Sequence, residues 1–99
     1  MYLLGIDIGT TSVKSVLFNE KLEEISAGSE EYELETHGAF VECEAEKYWE
    51  IVQKELDSLG IVPDALAVDT QCETLILTDE NGNPVRRAIV WLDNRAAEE

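Results

Sequence analysis

In the run Gly5-Ile6-Asp7-Ile8-Gly9-Thr10-Thr11-Ser12-Val13-Lys14, a carboxylate closes an apolar segment and a Gly-Thr-Thr-Ser bend follows it at once. Backbone amides and the hydroxyls of Thr10, Thr11 and Ser12 can donate to a phosphate from such a bend. The Asp7 carboxylate beside them can hold the metal ion that neutralises phosphate charge. The pattern differs from the Gly-x-x-x-x-Gly-Lys-Ser/Thr phosphate loop, which needs more glycines and opens a helix. An ordinary hairpin, in which Asp, Gly and Thr serve backbone geometry alone, uses the same residues. At this point both readings stand.

Other chemistries are poorly served. The two cysteines, Cys43 and Cys72, lie far apart without a C-x-x-C spacing, and His37 is the single histidine. Neither ligand count nor spacing suits zinc or a Cys/His catalytic pair. The chain of 99 residues carries 22 acidic against 7 basic residues, a formal net charge of −15, so nothing builds a basic patch. Nucleic acid and anionic membranes are therefore poor partners, and neither is expected. An anionic nucleotide would need a metal, oriented amides or cations from elsewhere in the protein. Half of the acids fall between Glu20 and Glu50, interrupted by Leu22, Ile25, Tyr32, Leu34, Phe40 and Val41, which reads as a solvated face of structured sequence. No apolar run reaches the roughly 18 residues of a membrane span, and the N-terminus lacks the basic flank of a signal peptide, so a reducing cytoplasm is the expected compartment.

The elements that must position these groups follow from periodicity. Leu3 to Ile8 reads as a strand covered on both faces, with Leu4, Ile6 and Ile8 on one side and Leu3, Gly5 and Asp7 on the other. Gly5 leaves room beside Asp7 for a ligand. Val13 to Phe18 and Leu22 to Ser29 complete an antiparallel meander through a turn at Asn19-Glu20-Lys21. Tyr32 to Val41 is irregular, with strand-like alternation broken at Thr36-His37-Gly38. Ala45 to Leu59 is the clearest helix, its apolar stripe comprising Ala45, Tyr48, Trp49, Val52, Leu56 and Leu59, with Gly60 at the C-cap and Pro63 beyond. Burying Tyr48, Trp49 and Leu56 would contribute about 2 kcal/mol or more apiece. Ala65 to Val68 is a small-residue strand ending at Asp69. Thr74–Thr78 and Arg87–Trp91 form a hairpin around Asn81-Gly82, and Ala96-Ala97-Glu98-Glu99 reads as the start of a helix.

The order of strand, phosphate turn, two strands, helix and strand resembles the α/β ribonuclease H-like fold, a mixed sheet shared by sugar kinases, hexokinase, actin and the Hsp70 chaperones. Within that group the chain is similar to the FGGY carbohydrate kinases, the relatives of xylulokinase and glycerol kinase. Asp7-Ile8-Gly9-Thr10-Thr11-Ser12 matches the family's opening signature, and Gly38-Ala39-Phe40-Val41-Glu42 resembles its Gly-x-x-Glu segment before the first helix. Gln71-Cys72-Glu73-Thr74, the turn Asp79 to Pro84, and Ala88-Ile89-Val90-Trp91-Leu92-Asp93-Asn94-Arg95 match a third, more specific region. The resemblance spans essentially the whole chain.

The resemblance implies an ATP-dependent phosphorylation of a sugar or polyol hydroxyl, with ATP and Mg²⁺ as cofactors and a cleft between two domains as the site. It also implies that residues 1–99 are a piece of the first domain. The general-base aspartate and the second domain are then expected outside the chain, and the isolated polypeptide is expected to be inactive. Asp7 matches the position near metal and transferred phosphate; Gly9, Thr10, Thr11, Ser12 and Lys14 match the phosphate-binding set, although Lys14 also suits a strand lysine lying along Val16 and Phe18. Glu73, Cys72, Trp91 and Asp93 match the sugar side. Where glycerol kinase-like members have Arg-Glu after the Gln, and xylulokinase-like members Met-His, this chain has Cys72-Glu73, so the carboxylate is kept while no cation or imidazole precedes it. Trp91 equally suits hairpin core, and Asp93 and Arg95 a structural ion pair. A non-catalytic nucleotide-binding module of the actin/Hsp70 type and a stand-alone interaction domain remain open, with the Trp91–Arg95 block speaking against the first. Such a piece, with an uncovered face, is also expected to self-associate as a homo-oligomer.

Overall fold

Leu4, Ile6 and Ile8 alternate with Leu3, Gly5 and Asp7, and in the computed structural model, which describes residues 1–97, this period-two pattern is strand β1 (Tyr2–Ile8). Strands β2 (Ser12–Asn19) and β3 (Glu24–Glu31) follow as an antiparallel meander. Strand β3 begins at Glu24 rather than Leu22, because the turn is longer than expected. Leu22 sits in it at φ 62, and the Asn19 side-chain oxygen accepts from the amides of Lys21 (2.9 Å) and Glu23 (3.0 Å).

Residues 35–43 take a form the irregular pattern did not suggest. They fold as a short hairpin, β4 (Glu35–His37) and β5 (Phe40–Cys43), turning on Gly38 at φ 60. Helix α1 (Glu46–Ser58) then leads through Gly60, at φ 68, to β6 (Ala65–Thr70), which lies parallel to β1. The main sheet runs β3-β2-β1-β6. A second sheet runs β4-β5-β7, where β7 is Ala88–Ile89.

Thr74–Thr78 and Arg87–Trp91 do come together antiparallel, but through isolated bridges, Leu75 to Ile89 and Thr78 to Pro84, and not as two regular strands. Ile89 exchanges both of its backbone bonds with Leu75 (2.9 Å each), while β5 is met on the opposite edge, where the Val90 amide donates to the Val41 carbonyl at 3.0 Å. The Asn81-Gly82 turn forms as expected, with Gly82 at φ 82 and Asp79 accepting from Asn81 and Asn83 amides at 2.9 Å each. At the C-terminal end Ala97 donates to the Asn94 carbonyl (3.1 Å) in a turn. The rest of the expected helix, Glu98-Glu99, lies outside the described residues.

One face of the main sheet is sealed. Leu4, Ile6, Val13 and Leu17 meet Tyr32, Ile51 and Val52 there, with Tyr48, Leu56 and Leu59 at the margin. The stripe of α1 is thus rotated from the expected one. Ile51, Val52 and Glu55 are its buried residues, while Trp49 stays 55% exposed and contributes little of the burial expected of it. A smaller core of Val41, Cys43, Ala88 and Val90 joins the two sheets through Tyr48 and Leu34. The other face of the main sheet is open. Leu3 and Gly5 are half-buried and Asp7 is exposed, so β1 is covered on one side and not on both. Every residue of β6 is exposed. The Cα radius of gyration, 15.8 Å, exceeds the ~13 Å usual for this length, in keeping with the uncovered face.

Candidate functional site

The open face displays three charges in one row. Strand register sets Lys14 of β2 opposite Asp7, and Asp7 opposite Asp69 of β6, so the three side chains project from neighbouring strands on the same side. Gly5 and Val16 lie one pair further along, and together with Phe18 they line an open groove of about 410 Å³. A side chain built on Gly5 would meet nothing within 4 Å, so the space beside Asp7 is real. Among the described residues, the Asp7 carboxylate takes part in neither an ion pair nor a hydrogen bond, although Lys14 is its neighbour. Its carboxylate faces solvent uncommitted. Mg²⁺ bound with a phosphate ligand asks for one or two carboxylates and not a closed protein cage, and this donor set fits that demand.

Beyond β1 the chain turns tightly. The Gly9 amide donates to the Ser12 carbonyl at 2.8 Å, and a side chain on Gly9 would crowd that same oxygen at 3.2 Å. Gly9 therefore serves turn geometry, and its amide, expected to face a phosphate, is already committed. The Thr10 and Thr11 amides donate to no backbone acceptor among the described residues, and they remain as the donors of the bend. Ser12 opens β2 opposite Glu31.

Trp91 reaches this bend from the far end of the chain. Its indole Nε1 donates to Thr10 Oγ1 at 2.9 Å while the ring stays 49% exposed. That excludes a fully buried hairpin-core role, and the Thr10 hydroxyl proton stays available to another acceptor. What holds Trp91 there is the segment after it. The Asp93 carboxylate accepts from the Val41 amide (2.6 Å), the Arg95 amide (2.9 Å) and the Arg95 guanidinium (2.7 and 2.8 Å). Arg95 also bonds Glu42 at 2.6 Å and lies over the Phe40 ring, 4.2 Å from its centroid. The Arg95 guanidinium and the two amides hold the Asp93 carboxyl well below the usual carboxylate range. Expected on the sugar side, Asp93 thus has its oxygens engaged in clamping residues 91–95 to β5.

Cys72 and Glu73 follow β6 and are exposed. Glu73 adopts φ 66, a left-handed conformation that costs a non-glycine residue about 1–2 kcal/mol. Strain of this kind persists where a side chain is wanted in a set direction. Glu73→Gly is accordingly expected to stabilise the fold by about 1 kcal/mol, read by chemical denaturation, while removing the carboxylate from the surface.

Four residues that bear on the site were not assigned a part in it from sequence: Asp69, Tyr32, Gln71 and Tyr48. Asp69 had a legible signal, since Val68-Asp69 repeats the apolar-then-acid ending of Ile6-Asp7. The tyrosines had none, because their partners lie in distant segments.

A ribonuclease H-like sheet, carrying an acid near the end of its first strand and a hydroxyl-rich turn beyond it, defines the fold class that sugar kinases share with hexokinase, actin and the Hsp70 chaperones. The profile described as the FGGY family of carbohydrate kinases, N-terminal domain, matches residues 2–99, and the chain belongs to that family. It is 37% identical over 106 residues to a glycerol kinase of Brucella ovis, covering 98% of this chain and 21% of the relative. Among solved structures, a xylulose kinase from Rhodospirillum rubrum shares the fold at a TM-score of 0.89 and 23% identity, with 99% of this chain and 22% of that one covered. A Plasmodium falciparum glycerol kinase with ADP superposes at 0.84 and 24% identity, covering 98% and 21%. The chain therefore spans about a fifth of the length of the relatives it matches. Among the described residues no helix is long and apolar enough to cross a membrane.

Proposed function

We propose that this chain forms the N-terminal part of an ATP-dependent carbohydrate kinase, in which the Gly9–Ser12 bend takes the phosphates of Mg·ATP and the Cys72-Glu73 and Trp91 segments take a sugar or polyol. The observation that carries the reading is the bond from Trp91 Nε1 to Thr10 Oγ1, because it brings the sugar-side aromatic onto the phosphate bend. Phosphoryl transfer asks a protein mainly for positioning and charge neutralisation. Magnesium, when bound, supplies the compensation for phosphate charge.

Each residue has a part in this. Asp7, exposed and uncommitted, holds the metal side, with Asp69 adjacent in register. The Thr10 and Thr11 amides and the hydroxyls of Thr10, Thr11 and Ser12 donate to phosphate oxygens, and Gly9 lets the bend close. Lys14, beside Asp7 on the open face, adds a cation toward the phosphates. Glu73 accepts from a substrate hydroxyl, Cys72 lines the same edge without a charge, and Trp91 offers its half-exposed ring to the C–H face of a polyol. Asp93 acts through its clamp, holding Trp91 in place. The base that takes the sugar hydroxyl proton belongs to a later segment of a longer polypeptide.

Screening the full-length protein for ADP release against ketoses, polyols and deoxy sugars tests the proposal. Turnover with one class is expected, and none from residues 1–99 alone. Turnover by the 99-residue chain alone, or no ADP release from the full-length protein with any acceptor, overturns it.

A further inference from the structure

Tyr32 grips the phosphate bend at two points. Just past β3, its backbone amide donates to the Thr11 carbonyl at 2.9 Å, and its hydroxyl donates to the Gly9 carbonyl. A carbonyl only accepts, so the Tyr32 O–H proton is committed to Gly9 and its oxygen is left to accept. The donor to it is the Gln71 side-chain amide, at 3.4 Å, and the same amide nitrogen donates to the Tyr48 hydroxyl at 3.1 Å. Tyr48 then has its own proton for Cys43 Sγ, 3.0 Å away. The Gln71 carbonyl oxygen accepts from Thr74 Oγ1 at 3.2 Å, and the Gln71 backbone amide donates to the Ile8 carbonyl at 2.8 Å. Burial pushes both tyrosine hydroxyls and the Cys43 thiol up, so all three stay protonated through neutral pH.

The direction of the bonds at Tyr32 and Gln71 is thereby fixed. Gln71 is tied to the end of β1 by its backbone and to the bend by Tyr32. The two residues that follow it are Cys72 and the strained Glu73. Packing does not account for the hydroxyl: the Tyr32 ring already stacks edge-on against Tyr48 at 5.1 Å, which a phenylalanine would reproduce.

We infer that Tyr32, through Gln71, is a positioning residue that couples the phosphate bend to the Cys72-Glu73 segment, so that ligand binding at either end orders the other. The assignment of the two ends as phosphate and sugar sites rests on the function proposed above. The mechanical link does not, and the test separates them.

In the full-length protein, Tyr32→Phe removes the hydroxyl alone. Hydrogen exchange is expected to quicken about 3- to 10-fold at the bonded amides of the bend, Gly9 and Tyr32, and at that of Gln71 together, with residues 13–19 and α1 unchanged. In kinetics, KM for Mg·ATP and for the sugar acceptor should rise together by a similar factor, while kcat moves less. Gln71→Met, which breaks the link from its other end, should reproduce both patterns, and the double variant should add nothing further. Exchange that quickens at only one of the two segments, or across the whole core, would refute the coupling. Additive effects of the two substitutions would do the same. If the wild-type protein phosphorylates no acceptor, the proposed function fails, and the exchange pattern still decides the link.

Discussion

Asp7→Asn is expected to lower kcat of the full-length protein by ~10²–10³-fold, the range found when one preorganised electrostatic contact to a developing charge is removed. The substitution keeps the shape of the side chain and removes its charge. Because the Asp7 side chain is exposed and its carboxylate has no partner among the described residues, stability should stay within about 0.5 kcal/mol of wild type. The loss should be accompanied by a higher requirement for Mg²⁺, since a neutral amide holds the ion less well. Lys14 supplies an internal comparison. It lies opposite Asp7 on the same face, and Lys14→Met should raise KM for ATP without altering the Mg²⁺ requirement. Initial rates of ADP release over a Mg²⁺ titration make the measurement. A kcat within ~3-fold of wild type for Asp7→Asn would remove the mechanism from the open face.

The second large effect concerns stability. Glu55 of α1 is only 7% exposed, and neither carboxylate oxygen has a hydrogen-bond partner among the described residues. It faces Ser15 of β2 and Gly28 of β3, where the missing glycine side chain lets the helix approach the sheet. Burial pushes its carboxyl above the usual glutamate range; the Ser15 hydroxyl draws it back in part, and the Glu30 charge adds to the rise. A carboxyl with a raised folded pKa binds its proton more tightly in the folded state than in the unfolded one. Its destabilising influence is therefore absent below the unfolded value of about 4.3, and grows as pH climbs from there through the folded value. Glu55→Leu is expected to raise stability at pH 7 by about 1–3 kcal/mol, the cost of an unsatisfied buried polar group, and to raise it by less near pH 4, where the carboxyl is protonated. At about 4–8 °C per kcal/mol for a domain of this size, thermal denaturation resolves the difference readily. The other carboxylates titrate in both proteins and cancel in the comparison. A leucine variant less stable than wild type at pH 7 would mean that Glu55 has a favourable partner.

Parts of the fold were legible because their signals are local. Alternation in residues 3–8 and 13–18, Gly60 past the helix and Asn81-Gly82 between apolar runs each specify an element from its own side chains, and each formed. The errors arose where a choice depended on distant partners. Trp49 has the spacing of a core residue, yet α1 docks with Ile51, Val52 and Glu55 inward, because the sheet's apolar surface sets the rotation of the helix. The sequence offers Arg87–Trp91 only residues 74–78 as a partner, yet the segment lies between them and β5, with Ile89 bonded to Leu75 on one edge and Val90 to Val41 on the other. For Asp93 the sequence offered both a sugar-side acid and an ion pair with Arg95; the structure adds the Val41 amide to that pair.

By itself the sequence determined that Asp7 closes the first strand beside a hydroxyl-bearing bend, with Gly5 leaving space on that face, since strand parity and turn chemistry act within a few residues. The tertiary structure decided which charges share the Asp7 face, that Trp91 meets Thr10, and that Tyr32 binds the bend to Gln71. Those contacts join residues as many as 81 positions apart. Such pairings are set by strand register and by competition for hydrogen-bond partners across the whole chain, and neither is written in any one segment.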